Sequence, residues 1–224
     1  MTATNANAWP KEPLSTIVVP AQKAVLAVHS STKVSAPASV VFSTLLDYPA
    51  YTKWCTWTPK GITIRSQPSG DATSTDDHVL KKGTHFSLQV MMDPQKPDSL
   101  SSTDLYVTDI STPKNPSSYI SPNGLREGNF TPDPGKVYRI SWAGEGAMAW
   151  LIQSERFHEV IVTGEEACEV RSWECFKGVM ARVVKMMYQA SLMDGFRRWV
   201  EDLRRESERR FEEIRARHHG GRRG

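Results

Sequence analysis

An α+β fold, with a curved antiparallel sheet wrapped around one long C-terminal helix, is what this sequence predicts, and three observations predict it. Strand-like segments follow one another through most of the chain. Hairpin-length spacers join some of them. The last long segment, about residues 178–215, carries an apolar stripe at helical spacing. The chain has 224 residues, 39% of them hydrophobic and 24% charged, an ordinary globular composition. That length is enough to bury a sizeable core without disulfides.

Residues 1–20 are rich in Ala, Asn, Thr and Pro, without periodicity, and read as a loose, flexible leader. They show no basic n-region and no apolar h-region, so no secretory signal is visible. Residues 23–35 form the first expected strand. The period then changes. Pro37 suits the first turn of a helix, and Val41 with Leu45 and Phe42 with Leu46 make one i,i+4 stripe. Asp47-Tyr48-Pro49 ends this helix, because a residue before proline avoids the helical region. A second short helix runs from Ala50 to about Trp54.

Six further strands are expected at 61–66, 84–92, 102–111, 136–143, 151–163 and 167–176, which makes seven in all. The second of these alternates, with Phe86, Leu88, Val90 and Met92 on one face and His85, Ser87 and Gln89 on the other. Thr163-Gly164-Glu165-Glu166 makes the last two strands a hairpin. Residues 112–135 hold five prolines and three asparagines. A structureless stretch of that length reads as a lid or binding loop, or as a surface insertion.

In the final helix Val184, Tyr188, Leu192, Phe196, Trp199 and Leu203 fall three or four apart. Glu201–Arg205, Glu206–Arg210 and Glu213–Arg217 support an exposed end, and residues 216–224 read as a basic frayed tail. The whole therefore forms a single domain over residues 21–215.

The net charge is +3. Residues 196–224 hold ten Arg against six acidic residues, leaving 18 basic and 19 acidic residues elsewhere. The basic residues alternate with acids, which indicates a solvated helix rather than a nucleic-acid surface. No run is long and apolar enough for a membrane span, and an intracellular, cytoplasmic protein is expected. Cys55, Cys168 and Cys175 form no CxxC or Cys/His spacing and read as buried free thiols. No Gly-rich phosphate loop, GxSxG or HExxH motif appears, so neither metal nor cofactor is expected.

The sequence resembles the START-like superfamily, also called SRPBCC or Bet v 1-like, and within it the polyketide cyclase/dehydrase branch. Three stretches carry the likeness: Val34-Ser-Ala-Pro-Ala-Ser-Val-Val-Phe42 continuing to Leu46-Asp47-Tyr48, Tyr51 and Trp54; Glu155-Arg156-Phe157-His158-Glu159; and Trp173-Glu174-Cys175-Phe176-Lys177-Gly178 leading to Gly195-Phe196 and Trp199. The resemblance implies a helix-grip fold and, by analogy with carriers, hormone receptors and aromatase/cyclases, an apolar ligand. It supplies no catalytic motif.

A helix laid across a concave sheet leaves a cavity where the two do not close, and such cavities are typical small-molecule sites. Alternation assigns Phe86, Leu88, Val90, Tyr138, Ile140 and Trp142 to its wall, with Tyr188, Leu192 and Phe196 from the helix and Ser191 nearby. The hairpin allows two registers. An even-numbered loop puts Phe157, Ile161, Val170, Ser172 and Phe176 inward with Glu155, Glu159 and Glu174, so that Glu155 and Glu174 nearly face each other. An odd loop instead puts Arg156 and His158 inward beside the acids of the second strand. The acid/base candidates are accordingly Glu174, Glu159 and His158.

The expected function is the binding of an apolar or aromatic small molecule (lipid, polyketide or terpenoid-like) as carrier or sensor. The alternative is a cyclase or dehydratase working in the same cavity. A third class, a partner-binding protein acting through the long helix, would need an exposed apolar patch beyond Leu203, where charges alternate instead. The expected assembly is a monomer or weak dimer.

Overall fold

The computed structural model describes residues 9–10, 12–68, 78–93, 95–96, 98, 100–127, 129–146 and 150–220. Strand β1 (Leu26–Val34) is followed by helix α1 (Ala38–Leu46), a 3-10 turn (Tyr48–Ala50) and helix α2 (Tyr51–Trp54). Strands β2 (Ile62–Ser66), β3 (His85–Met91) and β4 (Leu100–Ser111) come next, then the short helix α3 (Pro122–Glu127). Strands β5 (Val137–Gly144), β6 (Gln153–Gly164) and β7 (Ala167–Lys177) lead into helix α4 (Val179–Gly220). All seven strands form one antiparallel sheet in the order β1-β7-β6-β5-β4-β3-β2. Among the described residues no helix is long and apolar enough to cross a membrane.

The sheet carries a core on each face. On the concave side Leu26, Val28, Phe86, Leu88, Val107, Ile140 and Val160 pack with Phe42, Leu45 and Trp54 of the short helices. Leu192, Phe196, Trp199 and Leu203 of α4 complete that core. Period-two alternation in the strands thus meets the helical stripe predicted for α4.

The convex face is where the structure departs from expectation. Leu14, Val19, Ile120 and Phe130 are buried there against Phe157, Trp173 and Cys175. The residues following the start of the expected loose leader therefore form a strap from Trp9 onward, and residues 1–8 lie outside the described residues. The 112–135 stretch is likewise no lid over the concave side. It contains α3 and covers the back of the sheet, because Ile120 and Phe130 supply the apolar area that Phe157 and Trp173 need. Helix α4 also runs beyond residue 215, to Gly220. Residues 221–224 of the expected frayed tail lie outside the described residues.

The convex packing reflects a change of register. The loop of the β6–β7 hairpin is short, with Gly164 paired to Ala167, but a bulge lies between Val162 and Gly164. One extra residue in one strand moves every side chain before it to the opposite face. His158 therefore pairs with Ser172 and Arg156 with Glu174, while Phe157 pairs with Trp173. The inward set is Arg156, His158, Val160, Val170, Ser172, Glu174 and Phe176. The even-loop expectation, with Glu155, Phe157 and Glu159 inward, is corrected, and Glu155 and Glu174 do not face each other.

Helix α4 is held mainly by its C-terminal half. Asp202 accepts the Thr56 backbone N–H at 2.8 Å and its hydroxyl at 2.6 Å. Glu201 accepts the Thr32 hydroxyl, Glu208 the Ser35 N–H, and Arg210 pairs with Asp47. At the other end Gly178 turns the chain from β7 into α4 with φ +104°, a left-handed conformation natural to glycine.

A cavity with a buried cation at its inner end

Between the sheet and the N-terminal half of α4 lies a cavity of about 730 Å³. Leu88 and Val90 of β3, Leu105 of β4 and Trp142 of β5 line it from the sheet. Phe176 of β7 and Trp57, from the turn after α2, continue the wall. Val184, Tyr188 and Leu192 of α4 close it from above. Trp57 is fixed from two sides: Met91 donates its N–H to the Trp57 carbonyl at 2.9 Å, and the indole lies against Gly195, where a Cβ would overlap the ring. The rim is polar, with Lys96, Ser101, Ser102, Thr103 and Glu145.

At the inner end is Arg156, only 3% exposed. Its guanidinium carbon lies 3.9 Å from the Phe196 ring centre, 4.6 Å from Trp199, 5.3 Å from Trp57 and 5.8 Å from Trp142. This aromatic box stabilises a cation through the negative ring faces. The Arg156 Nε donates to the Ser172 hydroxyl at 3.1 Å, while Nη2 is buried with no hydrogen-bond partner. Burial lowers the Arg156 pKa to about 10, and nearby Glu174 acts in the other direction. That value still leaves the group charged at neutral pH.

Glu174 sits across from Arg156 in the strand pairing and also lines the cavity. Burial raises its carboxyl pKa, against the pull of the Arg156 charge and of the neighbouring Ser154 hydroxyl. A carboxyl whose pKa is raised, beside a cation, is suited to giving or taking a proton and to steadying negative charge on an oxygen.

The other predicted residues divide by position. Phe86 lies behind the wall, edge-on to Trp142. Phe196 touches Arg156 rather than the open space, and the Tyr138 ring lies tilted against Phe42 of α1, with centres 5.2 Å apart. Ser191, half-buried on α4, is not part of the lining. Phe157 lies on the convex side and is corrected as a lining residue. Glu159 is also convex: it accepts the Thr131 N–H and hydroxyl and pairs with Arg139 at 2.6 Å, tying the 112–135 segment to the sheet. Glu155 does the same for the N-terminal strap, accepting from Val18 N–H at 2.8 Å and the Tyr119 hydroxyl at 2.7 Å.

His158 points inward but is fully buried, its ring between Trp142 at 4.3 Å and Trp199 at 4.4 Å. Neither ring nitrogen has a hydrogen-bond partner. Burial, and then the Arg156 charge, lower its pKa well below the usual value. It is a neutral packing residue beneath the cavity floor. Alternation alone did not identify Arg156, Trp57 or Ile152 as lining residues. The signal for Arg156, and for Ile152 on the same face of the expected 151–163 strand, is the odd-loop register, while Trp57 lies outside any strand, where alternation has no reach. Among the described residues no three of His, Cys, Asp and Glu converge as a metal site requires.

No family model matches the chain. It is 34% identical over 185 residues to the Oxopyrrolidines biosynthesis cluster protein O of Penicillium oxalicum, covering 77% of this chain and 81% of that protein. Among solved structures, a hypothetical protein of Helicobacter pylori matches with a TM-score of 0.57 at 16% identity, over 92% of this chain and 99% of that one. A Zhui aromatase/cyclase from a Streptomyces matches with a TM-score of 0.52 at 13% identity, over 83% of this chain and 94% of that one. With its seven-stranded curved sheet gripping a long C-terminal helix, the chain has the START-like fold and belongs to the family of the Penicillium oxopyrrolidines cluster protein O.

Proposed function

We propose that the protein holds an apolar or aromatic small molecule between its sheet and α4, as a carrier or sensor. The observation that carries this reading is the 730 Å³ cavity walled by Trp57, Leu88, Trp142, Phe176 and Leu192. Its size falls within the roughly 300–1,000 Å³ of small-molecule sites, and its mix of apolar wall and few polar groups is typical of them. The test is purification from the native host followed by denaturing mass spectrometry of the small molecules that accompany the protein. A co-purifying apolar compound, returned unchanged after incubation, supports carriage. Absence of any such compound, together with no response of tryptophan fluorescence to a panel of apolar ligands, overturns it.

A second reading, a cyclase or dehydratase, is favoured by one specific feature: Glu174 and Arg156 occupy paired strand positions and both line the cavity. Glu174 would move the proton and Arg156 would hold the oxygen on which negative charge develops. The similar Penicillium protein is named for a biosynthesis cluster, which fits either a carrier or an enzyme of secondary metabolism. Conversion of the co-purified compound, lost in Glu174→Gln, would select the enzyme. Of the three acid/base candidates, Glu174 alone reaches the cavity.

A further inference from the structure

The cavity is apolar over most of its wall, yet its inner end holds a guanidinium whose needs the protein leaves unmet. Arg156 Nη2 is buried without a hydrogen-bond partner. Glu174 faces it across the strands, but among the described residues no carboxylate makes ion-pair contact with it. Ser172, its hydrogen-bond partner, is neutral. A lone cation taken out of water is costly unless something compensates it. Phe196, Trp199, Trp57 and Trp142 supply part of that compensation through their faces, but an aromatic face accepts no strong in-plane hydrogen bond. An arginine retains its charge under these conditions, and because Arg156 lines the cavity its guanidinium offers a charged donor to an oxygen there.

From this we infer that the ligand is an apolar or aromatic compound ending in an anionic oxygen, a carboxylate or an enolate, which enters with its apolar body against Trp142 and Leu192 and seats that oxygen on Arg156. This rests on the cavity being a ligand site, and it names the ligand's chemical class. Glu174 has a matching part. Its carboxyl lines the same cavity from the strand position paired with Arg156, within the space the ligand's oxygen enters. The aromatic box keeps the guanidinium plane fixed, so the ligand's anionic end has one seat and its orientation is set.

The test uses the full-length protein and three probes of one shape: naphthoate, naphthyl methyl ketone and ethylnaphthalene, titrated by calorimetry near neutral pH. A hydrogen bond to a charged group at a desolvated site corresponds to about a tenfold or greater gain in affinity. The expected order is naphthoate tightest, by at least about tenfold over ethylnaphthalene, with the ketone between. Arg156→Met should bring the three together while retaining binding of ethylnaphthalene. Equal affinities in the wild type, or a preference for ethylnaphthalene, would overturn the anionic seat and leave the cavity reading intact, water then sufficing for Arg156. Binding of none of the three would remove the cavity reading as well. If Arg156→Met does not fold, the wild-type series decides alone.

Discussion

His158→Phe isolates the energetics of the cavity floor. His158 is wholly buried between Trp142 and Trp199, and both of its ring nitrogens lack partners. Arg156 is the charge acting on it, and it too opposes protonation. The folded protein therefore holds the imidazole neutral, whereas the unfolded chain protonates it around its ordinary pKa of about 6.5. Below that pH the unfolded state binds the extra proton, so wild-type stability falls as pH drops, and above it the residue contributes no slope. One group gives at most about 1.4 kcal/mol per pH unit. Between about pH 6.5 and pH 5 the wild type should therefore lose up to about 2 kcal/mol that His158→Phe keeps. Removing two unpartnered polar atoms is favourable by about 1–3 kcal/mol each, while the larger ring risks overpacking by a similar amount. These offsets do not depend on pH, so the difference in slope is diagnostic even where the absolute stability of the variant is not. Urea unfolding of both proteins across this range gives the slope. Parallel pH profiles would show that the folded state protonates His158 as readily as the unfolded chain, and the picture of a sealed floor would be wrong.

Four further predictions follow from other parts of the molecule. Glu174→Gln should raise the melting temperature near neutral pH, because a carboxyl with a raised folded-state pKa weakens the fold as pH rises through that value. The gain should vanish in acid, below the unfolded-state pKa of about 4.3. Gly195→Ala places a methyl into the Trp57 ring and should cost about 1–3 kcal/mol, read as a lower urea midpoint together with weaker binding of ethylnaphthalene. Glu159→Ala leaves buried Arg139 unpaired and should cost about 3–5 kcal/mol in unfolding while sparing ligand affinity, since Glu159 lies on the convex face. Amide hydrogen exchange should be faster over residues 182–191 than over 200–211, and equal protection would contradict the uneven anchoring of α4.

All seven strands and the C-terminal helix were legible because their signals are local. Phe86, Leu88 and Val90 alternate along β3, and Leu192, Phe196, Trp199 and Leu203 recur at helical spacing. The hairpin facing was not fixed by any local signal. A two-residue loop at Glu165-Glu166 gives one parity, and the bulge between Val162 and Gly164 reverses it. Nothing in the composition of that turn announces a bulge, so the even-loop register turns Glu155, Phe157 and Glu159 inward and Arg156 outward. The convex core was hidden for a different reason. Leu14, Val19, Ile120 and Phe130 are single apolar residues scattered through Pro-rich segments, and isolated apolar residues carry no periodicity. Their burial follows only once Phe157 and Trp173 are known to face that side and to need a cover.

The same register explains how the chain can place a charge deep in the domain. With Phe157 and Trp173 turned to the convex face, the neighbouring positions on the concave side fall to Arg156, Ser172 and Glu174, and the convex strap takes over the burial that those positions forgo. The sheet is thereby stabilised from its back, by Glu155 on Val18 and Tyr119 and by Glu159 on Thr131 and Arg139. The front is free of the need to close completely. Helix α4 is pinned from Glu201 onward, so its first turns span the cavity through Val184, Tyr188 and Leu192 without being drawn down onto the sheet. An open apolar space with one unmatched cation is a poor design for stability alone, since apolar filling would serve that end better. It is the arrangement that the proposed seat for an anionic ligand oxygen would use.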